Sequence, residues 1–523
     1  MKNLLTIKRS LISVSDKSNI TKLSRILVGK NIEIISTGNT YKILSKKSIE
    51  AKKIEKITNF KEILNGRVKT LHPSIFGGIL ADFNNEKHIK EINALKIQGI
   101  QLVIVNLYPF VETIKSTKSI TKCIENIDIG GPSLIRAAAK NFASTCVVVD
   151  IKDYELIIDE LNKYNGISLK LRKMLALKAF KKTMNYDLEI FKWFESNIVE
   201  KNEKHFFLFG NKINNLRYGE NPHQSASIYS YNLSNNKSFY KQLNGKSLSF
   251  NNLNDIKATL SLLSEFNDPA AVIVKHAIPC GVAEGKNALF VWKKSLSADK
   301  LSAFGGVVAF NRTVDKNLAK ELNKIFLEVV AAISFTSEAL KILKEKPNLR
   351  VIEIKRLKDF KVKKPKTVVT MPDIFLVQES DMYSIKKKDL KVVSKIKPTK
   401  KQIEDLVFAN KVVKHVRSNA IVIAKNKVTL GIGSGNTSRV DSVNFALLKA
   451  NRSNEKGNTI SLKGAVMASD AFFPFPDSIL IASKSGVKSI IQPGGSIKDK
   501  AVIKEVDEKK LSMVFTNKRS FTH

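Results

Sequence analysis

The sequence predicts an α/β protein with more than one domain, and three observations support this prediction. The chain has 523 residues, which is more than a single hydrophobic core usually holds. Its hydrophobic fraction of 43% is sufficient for well-packed globular domains. Near the N-terminus, strand-like and helix-like segments alternate, and this order is typical of a parallel sheet covered by helices.

Short patterns place the first strands and helices. Apolar runs at Ser10–Val14 and Ile32–Ser36 predict two strands, and helical spacing predicts a helix over Asn19–Val28. Ser15 and Asp16 are candidate caps for that helix because their side-chain oxygens can accept hydrogen bonds from free backbone amides.

The ends of these two strands carry hydroxyl and amine groups. In a parallel sheet, ligands bind beyond the carboxyl ends of the strands, where helix N-termini offer free amides to a phosphate. The candidate phosphate ligands are Ser13, Ser15, Lys17, Ser36, Thr37 and Thr40. Serine and threonine are also common helix caps, so the sequence leaves both interpretations open.

Three further loops of the N-terminal half carry polar groups. They belong to the segments GRVKTLHP (66–73), LVIVNLYPF (102–110) and NIDIGGPSLIRAAAK (126–140). Their polar residues are Arg67, Lys69, Thr70, His72, Asn106, Tyr108, Asp128 and Lys140. Each has a structural alternative as a cap, a turn or a surface charge. Together they supply a carboxylate, a phenol and several cations, which suits ring-closing or proton-transfer chemistry on a phosphorylated substrate.

The most informative stretch of the C-terminal half is VIVKHAIPCG (272–281). Its apolar run predicts a strand that ends at Lys275 and His276, and Pro279, Cys280 and Gly281 predict the turn that follows. A fixed cation favours neutral imidazole, which can accept a proton. The alternative is an ordinary solvated strand end.

Other segments of the chain are weaker signals. Residues 155–200 predict helices, and polar Glu200–Lys204 is a candidate domain boundary. GIGSGNTSR (431–439) predicts a glycine turn that presents Arg439 to an anion. In ASDAFFPFPD (468–477), Phe472 and Phe473 could stack on a flat heterocycle or belong to the core.

Composition limits the function classes. The formal net charge of +40 comes mostly from lysine spread along the chain, whereas specific nucleic-acid readers rely on arginine, so only nonspecific polyanion binding is expected. Three distant cysteines indicate a reducing compartment, and the cytoplasm is expected. The N-terminal segment is too weakly apolar for a signal peptide, and no apolar run is long enough to span a membrane.

A zinc site of the deaminase type is not expected. Such sites need His-x-Glu and Pro-Cys-x-x-Cys motifs. His276 and Cys280 resemble fragments of these motifs, but Ile278 stands where the Glu would be and Ala283 where the second Cys would be. We therefore expect no zinc or other metal ligands in this stretch.

Taken together, the motifs resemble one family, the bifunctional purine biosynthesis proteins. In these, aminoimidazole carboxamide ribonucleotide transformylase is fused to inosine monophosphate cyclohydrolase. The matching pieces run in the family's order along nearly the whole chain: SVSDK, STGNT, GRVKTLHP, NLYPF, NIDIGGPSLIRAAAKN, LRYGENPHQ, VKHAIPCG, SAFGG, SNAIVIA, SDAFFPF, QPGGS and TNKRSFTH.

The resemblance implies two domains. Residues 1–198 would form a methylglyoxal-synthase-like parallel-sheet domain that closes the purine ring. Residues 199–523 would form the transformylase, built from two cytidine-deaminase-like α/β units without zinc. It would transfer a formyl group from 10-formyltetrahydrofolate. The resemblance also implies a homodimer with transformylase sites at the subunit interface, and in some family members a monovalent cation.

The resemblance also assigns roles to individual residues. For ring closure it implies catalysis by Lys69, Tyr108, Asp128 and Lys140. The nucleotide would be held by Ser13, Ser15, Lys17, Ser36, Thr37, Gly38, Arg67, Thr70, Asn106, Gly130 and Gly131. For formyl transfer it implies catalysis by Lys275, His276 and Asn419. The transformylase substrates would contact Arg217, Tyr218, Gly305, Arg439, Phe472, Phe473, Asp477, Arg519 and His523.

The chain departs from the family pattern at several positions. Asn39 stands where a second glycine is usual, so its turn must accommodate a side chain. Around the transformylase pocket, Ile278 stands where the family usually has Asn, Pro476 where it has Arg, and Thr522 where it has Arg or His. Reduced folate affinity is therefore expected. Two alternatives stay open: an enzyme with weakened transformylase activity, and a basic polyanion-binding protein on a relic scaffold.

Overall fold

The computed structural model describes residues 3–199, 205–231, 238–362, 366–455 and 461–523. The chain divides into two compact units, Met1–Phe207 and Leu208–His523. The division falls nine residues beyond the expected boundary at 198. Phe207 packs edge-on against Phe191, with ring centroids 5.3 Å apart, which holds this segment to unit 1. The candidate linker Glu200–Lys204 lies outside the described residues.

The elements of unit 1 have the following bounds. The strands are β1 Leu4–Leu5, β2 Arg9–Val14, β3 Glu33–Ser36, β4 Lys52–Lys53, β5 Leu102–Asn106, β6 Cys146–Val148 and β7 Ile167–Ser168. The helices are α1 Ile20–Gly29, α2 Gly38–Lys46, α3 Glu55–Thr58, α4 Pro73–Leu80, α5 Glu86–Ala94, α6 Phe110–Ser116, α7 Ile120–Glu125, α8 Gly130–Lys140, α9 Tyr154–Tyr164 and α10 Leu169–Asn197.

The main sheet of unit 1 is parallel, as predicted. In the described residues its strand order is β4-β3-β2-β5-β6, with every neighbouring pair parallel. Leu11 and Ile12 point to opposite faces of the central strand, yet both are fully buried because helices cover both faces. The carboxyl ends of β2, β3 and β5 therefore meet at one edge of the sheet.

The predicted cap of the first helix is wrong. Helix α1 begins at Ile20, after Asn19, whose left-handed backbone provides no side-chain cap. The carboxylate of Asp16 instead accepts a hydrogen bond from the Ser18 amide at 2.9 Å. The loop between β2 and α1 is thus longer than the sequence pattern suggested.

The elements of unit 2 follow in chain order. The strands are β8 Asn211–Asn215, β9 Ser227–Ser230, β10 Tyr240–Asn244, β11 Ala270–Lys275, β12 Ile278–Glu284, β13 Val307–Phe310, β14 Val329–Ala332, β15 Arg350–Ile354, β16 Lys366–Thr370, β17 Phe375–Glu379, β18 Lys391–Val392, β19 Ile421–Lys425, β20 Val428–Gly433, β21 Ala465–Ser469, β22 Val487–Gln492 and β23 Ser512–Phe515. The helices are α11 Phe250–Leu263, α12 Ala288–Ala298, α13 Lys300–Ala303, α14 Lys316–Leu322, α15 Ser337–Lys344, α16 Asp359–Val362, α17 Lys400–Val413, α18 Arg439–Glu455, α19 Asp477–Lys484 and α20 Asp499–Glu508.

Unit 2 is organised around one mixed sheet. Its order in the described residues is β10-β15-β14-β13-β11-β12-β20-β19-β21-β22-β23-β18. The two halves of this order have the same layout: a helix, an antiparallel hairpin, a second helix and then parallel strands. The hairpin turns at 276–277 and 426–427 are 150 residues apart, as are the starts of α11 and α17. Unit 2 therefore consists of two structural repeats.

A buried ion pair joins the two halves of this repeat. Lys414 Nζ lies 2.9 Å from Glu265 Oε1, and His415 Nε2 lies 3.4 Å from the same oxygen. Burial alone would raise the pKa of Glu265, but the hydrogen bond with His415 and the charge of Lys414 lower it to about 2. Glu265 therefore stays ionised and links the region after α11 to the end of α17.

The predicted turn at Pro279–Gly281 is wrong. These residues lie inside β12, which pairs with β11 from Lys275↔Ile278 to Ala270↔Glu284 with one register shift. The chain reverses earlier, at His276 and Ala277, whose φ angles are 54° and 61°. Positive φ at both central residues is the geometry of a two-residue hairpin turn.

The glycine-rich segment before Arg439 is also partly strand. Gly431 and Gly433 belong to β20, and only Gly435 (φ 71°) belongs to the loop that follows. A Cβ at Gly431 would lie 2.0 Å from the Ala446 carbonyl oxygen, so glycine lets α18 pack directly on the strand. Close packing therefore explains a residue that the sequence assigned to a turn.

Candidate active sites

The first candidate site lies at the carboxyl ends of β2, β3 and β5. Ser13 Oγ and Thr37 Oγ1 are 3.0 Å apart, which joins the ends of β2 and β3. The Asn106 side chain accepts hydrogen bonds from the Ser15 and Asp16 amides at 2.5 and 2.9 Å. The first contact brings together the candidate phosphate ligands at the ends of β2 and β3. The contacts of Asn106 hold the loop that follows β2.

The loop around Lys69 reaches the same region. A Cβ at Gly38 would lie 3.6 Å from Lys69 Nζ, and a Cβ at Gly130 would lie 2.9 Å from Thr70 Oγ1. The loop thus contacts both the start of α2 and the start of α8. Lys69 Nζ pairs with Glu62 at 3.1 Å, a carboxylate that the sequence pattern did not single out. Arg67 is exposed and pairs with Glu125.

Asp128 occupies a partly buried position at the start of α8. Its Oδ1 accepts a hydrogen bond from the Gly131 amide at 2.7 Å, and its own amide donates to the Tyr186 hydroxyl at 2.8 Å. Burial raises the pKa of Asp128, although the backbone amides of Gly131 and Tyr108 partly oppose this. A Cβ at Gly131 would lie 2.4 Å from Asp128 Oδ2, so only glycine fits beside this carboxylate.

Two predicted lysines of this unit differ in their distance from the strand ends. Lys140 lies exposed in the last turn of α8, about 15 Å along the helix axis from Gly130. Lys17 Nζ donates to the backbone oxygens of Val14 and Ser15 at 3.2 and 2.8 Å. Tyr186, by contrast, contacts Asp128, although the sequence places it only within the helices predicted for residues 155–200. Its apolar neighbours on α10 hide this polar contact from a sequence pattern.

The second group of candidates lies at one end of the large sheet of unit 2. Lys275 and His276 stand where β11 turns into β12, and Ala283↔Val428 fixes β20 antiparallel to β12. The far end of β20 pairs with Ile421, so Asn419 lies at the same sheet end as His276.

The other candidates of unit 2 are at this same end. Strand β13 begins beside Val274, after Gly305, and β21 ends beside Ile421. Strand β23 runs parallel to β21 and β22, so the tail with Arg519 and His523 emerges there too. The loop of Arg217 and Tyr218 reaches the start of α11 through a hydrogen bond from Asn251 to the Glu220 carbonyl at 3.2 Å.

Within this end, contacts define two clusters. In the first, Lys275 Nζ donates to the Phe304 carbonyl at 2.6 Å, beside Gly305. The Asp255 carboxylate accepts a hydrogen bond from the Ala277 amide at 2.6 Å. His276 is exposed at the tip of the turn. Cys280 is buried behind it, which raises the pKa of its thiol to about 12 and disfavours the thiolate that a metal would need.

The second cluster surrounds Asn419. Arg439 donates to Asn419 Oδ1 at 2.8 Å and to Ser469 Oγ at 2.7 Å, and it forms a buried ion pair with Asp470. Asp470 also accepts a hydrogen bond from Ser418 Oγ at 2.5 Å. The arginine that the glycine turn was expected to present to an anion is therefore already paired with a carboxylate.

The chain terminus packs against this second cluster. Thr522 exchanges hydrogen bonds with Ser418, through its carbonyl at 2.8 Å and its amide at 3.2 Å. The Arg519 guanidinium lies 4.4 Å from the centre of the Phe521 ring. Thr522, a departure from the family pattern, makes these bonds through its backbone, and its side-chain hydroxyl donates to the Lys414 carbonyl at 3.0 Å. The tail and Asn419 are about 100 residues apart in sequence but adjacent in space.

The aromatic loop resolves one alternative that the sequence left open. Phe473 is fully buried in the core, whereas Phe472 is 38% exposed. Asp477 is the first residue of α19, directly after Pro476. Proline is well tolerated at a helix start, so this departure from the family pattern is structurally compatible. Asn39 is likewise exposed in the first turn of α2, where its side chain is accommodated.

Two family models match the chain. A methylglyoxal-synthase-like (MGS-like) domain matches residues 19–133, and the AICARFT/IMPCHase bienzyme matches residues 138–449. Curated relatives named bifunctional purine biosynthesis protein PurH match over their full length. The protein from Fusobacterium nucleatum is 47% identical over 99% of this chain, and that from Bacillus subtilis is 44% identical over 99%.

This chain belongs to the PurH family. It is a bifunctional enzyme, an AICAR formyltransferase and IMP cyclohydrolase, and it performs the last two steps of purine biosynthesis. A formyltransferase of this kind uses a formyl-folate cosubstrate. A solved structure titled ForH also matches, at 30% identity over 37% of this chain and with a TM-score of 0.34.

Within the residues that the structure describes, no group of three or more His, Cys, Asp or Glu side chains is placed to hold a metal ion. No helix in the same ranges is long and apolar enough to cross a membrane.

Proposed function

We propose that unit 1 carries the cyclohydrolase and unit 2 the formyltransferase, with separate sites. The observation that carries this proposal is the grouping of the candidate residues: one set at the carboxyl edge of the parallel sheet, the other at one end of the large mixed sheet. Support also comes from the MGS-like match, which lies within unit 1.

In the proposed ring closure, the carboxamide nitrogen attacks the formyl carbon of the bound nucleotide, and water is then lost. The Lys69 ammonium stabilises the oxyanion that develops on the formyl oxygen. Asp128 is the group that moves the amide proton, because its raised pKa brings it closer to the working pH. Tyr108 lies beside Asp128 and is 45% exposed, so it is accessible to a substrate.

The nucleotide phosphate in this proposal occupies the loops after β2 and β3. Ser13, Thr37 and the free amides at the start of α2 provide donors for it. The other proposed contacts are Ser15, Lys17, Ser36, Gly38, Arg67, Thr70, Asn106, Gly130 and Gly131. Lys140 remains part of the proposal from the family resemblance, with no contact that supports it.

In the proposed formyl transfer, the 5-amine attacks the formyl carbon of 10-formyltetrahydrofolate. The new C–N bond forms and the amine proton passes to His276. The bond to the folate nitrogen then breaks as that nitrogen takes the proton from the His276 imidazolium. Lys275 keeps a positive charge beside the imidazole, and Asn419 orients the oxyanion. The remaining proposed substrate contacts are Arg217, Tyr218, Gly305, Phe472, Asp477, Arg519 and His523.

For Arg439 and Phe473 we propose an indirect role, without contact with the substrate. Arg439 is paired with Asp470, and Phe473 is buried, so both shape the site rather than reach into it. Phe472 is the exposed member of the aromatic pair and the better candidate for stacking on a flat ring.

The departures from the family pattern favour reduced folate affinity. Ile278 follows the catalytic turn, and Pro476 precedes Asp477. We expect the Michaelis constant for formyl-folate to be raised about tenfold, equivalent to about 1.4 kcal/mol. Restoring the usual residues with Ile278→Asn and Pro476→Arg should lower it. Steady-state kinetics would measure this, and no change in either variant would contradict it.

We also propose a homodimer, and one exposed hairpin supports it. Strands β16 and β17 pair only with each other within the described residues, and Val369, Ile374, Phe375 and Leu376 are 51–60% exposed. An isolated two-stranded hairpin is marginally stable in water, and exposed apolar surface often marks an interface. We propose that a second copy of the chain packs against this hairpin.

A substitution in this hairpin should weaken the dimer. Leu376→Asp places a charge in the proposed interface, and we expect light scattering after gel filtration to show a shift from dimer to monomer at micromolar concentration. Leu177→Asp is the matched control, because Leu177 on α10 is 73% exposed but lies outside the hairpin. An unchanged mass for Leu376→Asp would exclude the hairpin from the interface.

The remaining parts of the proposal concern the compartment, nucleic-acid partners and a cation. We place the enzyme in the cytoplasm, with no specific nucleic-acid partner. A monovalent cation is an accessory in this proposal, and no residue or chemical step is assigned to it.

The overall test is direct. The protein is incubated with aminoimidazole carboxamide ribonucleotide and 10-formyltetrahydrofolate, and the expected product is inosine monophosphate. Accumulation of the formylated nucleotide alone would mean that ring closure is impaired. Ring closure of supplied intermediate without formyl transfer would favour the weakened transformylase. A salt titration of RNA binding tests the polyanion alternative.

A further inference from the structure

The turn that carries His276 has an uncommon backbone conformation. His276 and Ala277 both have positive φ, at 54° and 61°. Alanine has no side-chain group to stabilise this region, which it rarely adopts, so the turn carries a conformational cost. The exposed position of His276 therefore depends on contacts from outside the hairpin.

Asp255 supplies that contact. It lies in the second turn of α11, and its Oδ1 accepts a hydrogen bond from the Ala277 amide at 2.6 Å. The helix is itself anchored by a capping box between Ser249 and Asn252. Burial raises the pKa of Asp255, while the Ala277 amide and the neighbouring His276 oppose the rise.

The internal repeat offers a natural comparison. Asp405 lies 150 residues after Asp255, at the same position in α17, and its carboxylate accepts hydrogen bonds from the Asn426 and Lys427 amides at 2.9 and 2.7 Å. Helix α17 has the same type of capping box. The two hairpins therefore share one anchoring device.

The repeats differ at the tip of the turn. Asn426 stands where the first hairpin has His276, and asparagine adopts positive φ more readily than most residues. The second hairpin turns away from the catalytic end, because β20 runs antiparallel to β12 from Val428. Asp405 thus performs the structural task without a nearby catalytic candidate.

We propose that Asp255 is a positioning residue for formyl transfer, which holds the 276–277 turn so that the His276 imidazole meets the substrate amine. This inference rests on the proposed role of His276. It adds a residue on α11, away from the recognised motifs, to the catalytic arrangement.

The test compares three variants of the full-length protein. Asp255→Ala removes the anchor, Asp255→Asn keeps a side-chain oxygen that can accept from Ala277, and Asp405→Ala removes the matching anchor of the other hairpin. Formyl transfer and ring closure of supplied intermediate are measured separately, together with the thermal midpoint of unfolding.

We expect Asp255→Ala to lower kcat for formyl transfer by about 10- to 100-fold, because a misplacement of about 1 Å can cost that much. The Michaelis constants should change far less, and Asp255→Asn should retain most of the activity. Asp405→Ala should lower the thermal midpoint at least as much as Asp255→Ala but leave kcat unchanged. All three should close the ring normally.

Three results would overturn the proposal. These are an unchanged kcat in Asp255→Ala, an equal fall of kcat in Asp405→Ala, or a large loss in Asp255→Asn. The last comparison still applies if Asp255→Ala does not fold. The variant His276→Ala tests the proposed role of His276 separately. If His276→Ala is inactive while Asp255→Ala is active, only the positioning role of Asp255 is wrong. If His276→Ala is active, the catalytic role of His276 is wrong as well.

Discussion

Replacing His276 by alanine should lower the rate of formyl transfer by about 10²- to 10⁴-fold and leave ring closure unchanged. The 5-amine of the nucleotide is a weak nucleophile because its lone pair is delocalised, so attack requires removal of its proton. His276 is the exposed imidazole at the end of the sheet where the unit 2 candidates lie, and Lys275 stands beside it.

The internal repeat provides the control for this variant. Asn426→Ala removes a side chain from the equivalent turn, and it should leave formyl transfer intact. The two half-reactions are assayed separately, by consumption of formyl-folate and by formation of inosine monophosphate from supplied intermediate. Loss of both activities in His276→Ala would contradict the division of the activities between the two units.

Replacing Asp128 by asparagine should lower ring closure by about 10²-fold or more and spare formyl transfer. Asparagine keeps an oxygen that can accept from the Gly131 amide, so the local structure should persist while the proton-transferring group is lost. With both substrates present, the formylated nucleotide should accumulate in place of inosine monophosphate.

The stability of this variant gives a second readout. Burial raises the pKa of Asp128 above its ordinary value, so the folded state binds this proton more tightly than the unfolded state does. Ionisation at neutral pH therefore costs folding free energy, and the cost appears as pH rises through the ordinary pKa. Asp128→Asn removes this cost, so its thermal midpoint at pH 7 should equal or exceed that of the native protein.

Asp82→Asn is the matched control. Asp82 is also in unit 1 and accepts a hydrogen bond from a nearby amide, that of Asn84 at 2.9 Å, but it lies after α4 and outside the candidate site. Ring closure should be unaffected in this variant. If Asp128→Asn retained full cyclohydrolase activity, another group would have to move the amide proton.

Much of the architecture was readable from local patterns. Alternating strand-like and helix-like segments predicted the parallel sheet of unit 1, and the parallel pairing of β2 with β3 and β5 confirms it. The pattern was informative because strands buried on both faces must be nearly all apolar. The ordered motifs identified the family, and the full-length relatives confirm it. The roles of individual site residues stay predictions.

Turn positions were predicted less well. Pro279–Gly281 looked like a turn, yet they form a strand, and the chain reverses at His276 and Ala277. Neither of these residues is a typical turn former. The anchoring carboxylate of Asp255 lies about 20 residues earlier, on a helix, and local propensity does not include such a contact.

The sequence by itself determined the family, the chemistry of the candidate groups and the parallel sheet, because these depend on residue types and their spacing. Only the tertiary structure decided which groups meet: Arg439 with Asp470, Asp128 with Tyr186, and the chain terminus with Ser418. These pairs are separated by dozens of residues or more. Their proximity follows from sheet order and helix packing, which no local pattern encodes.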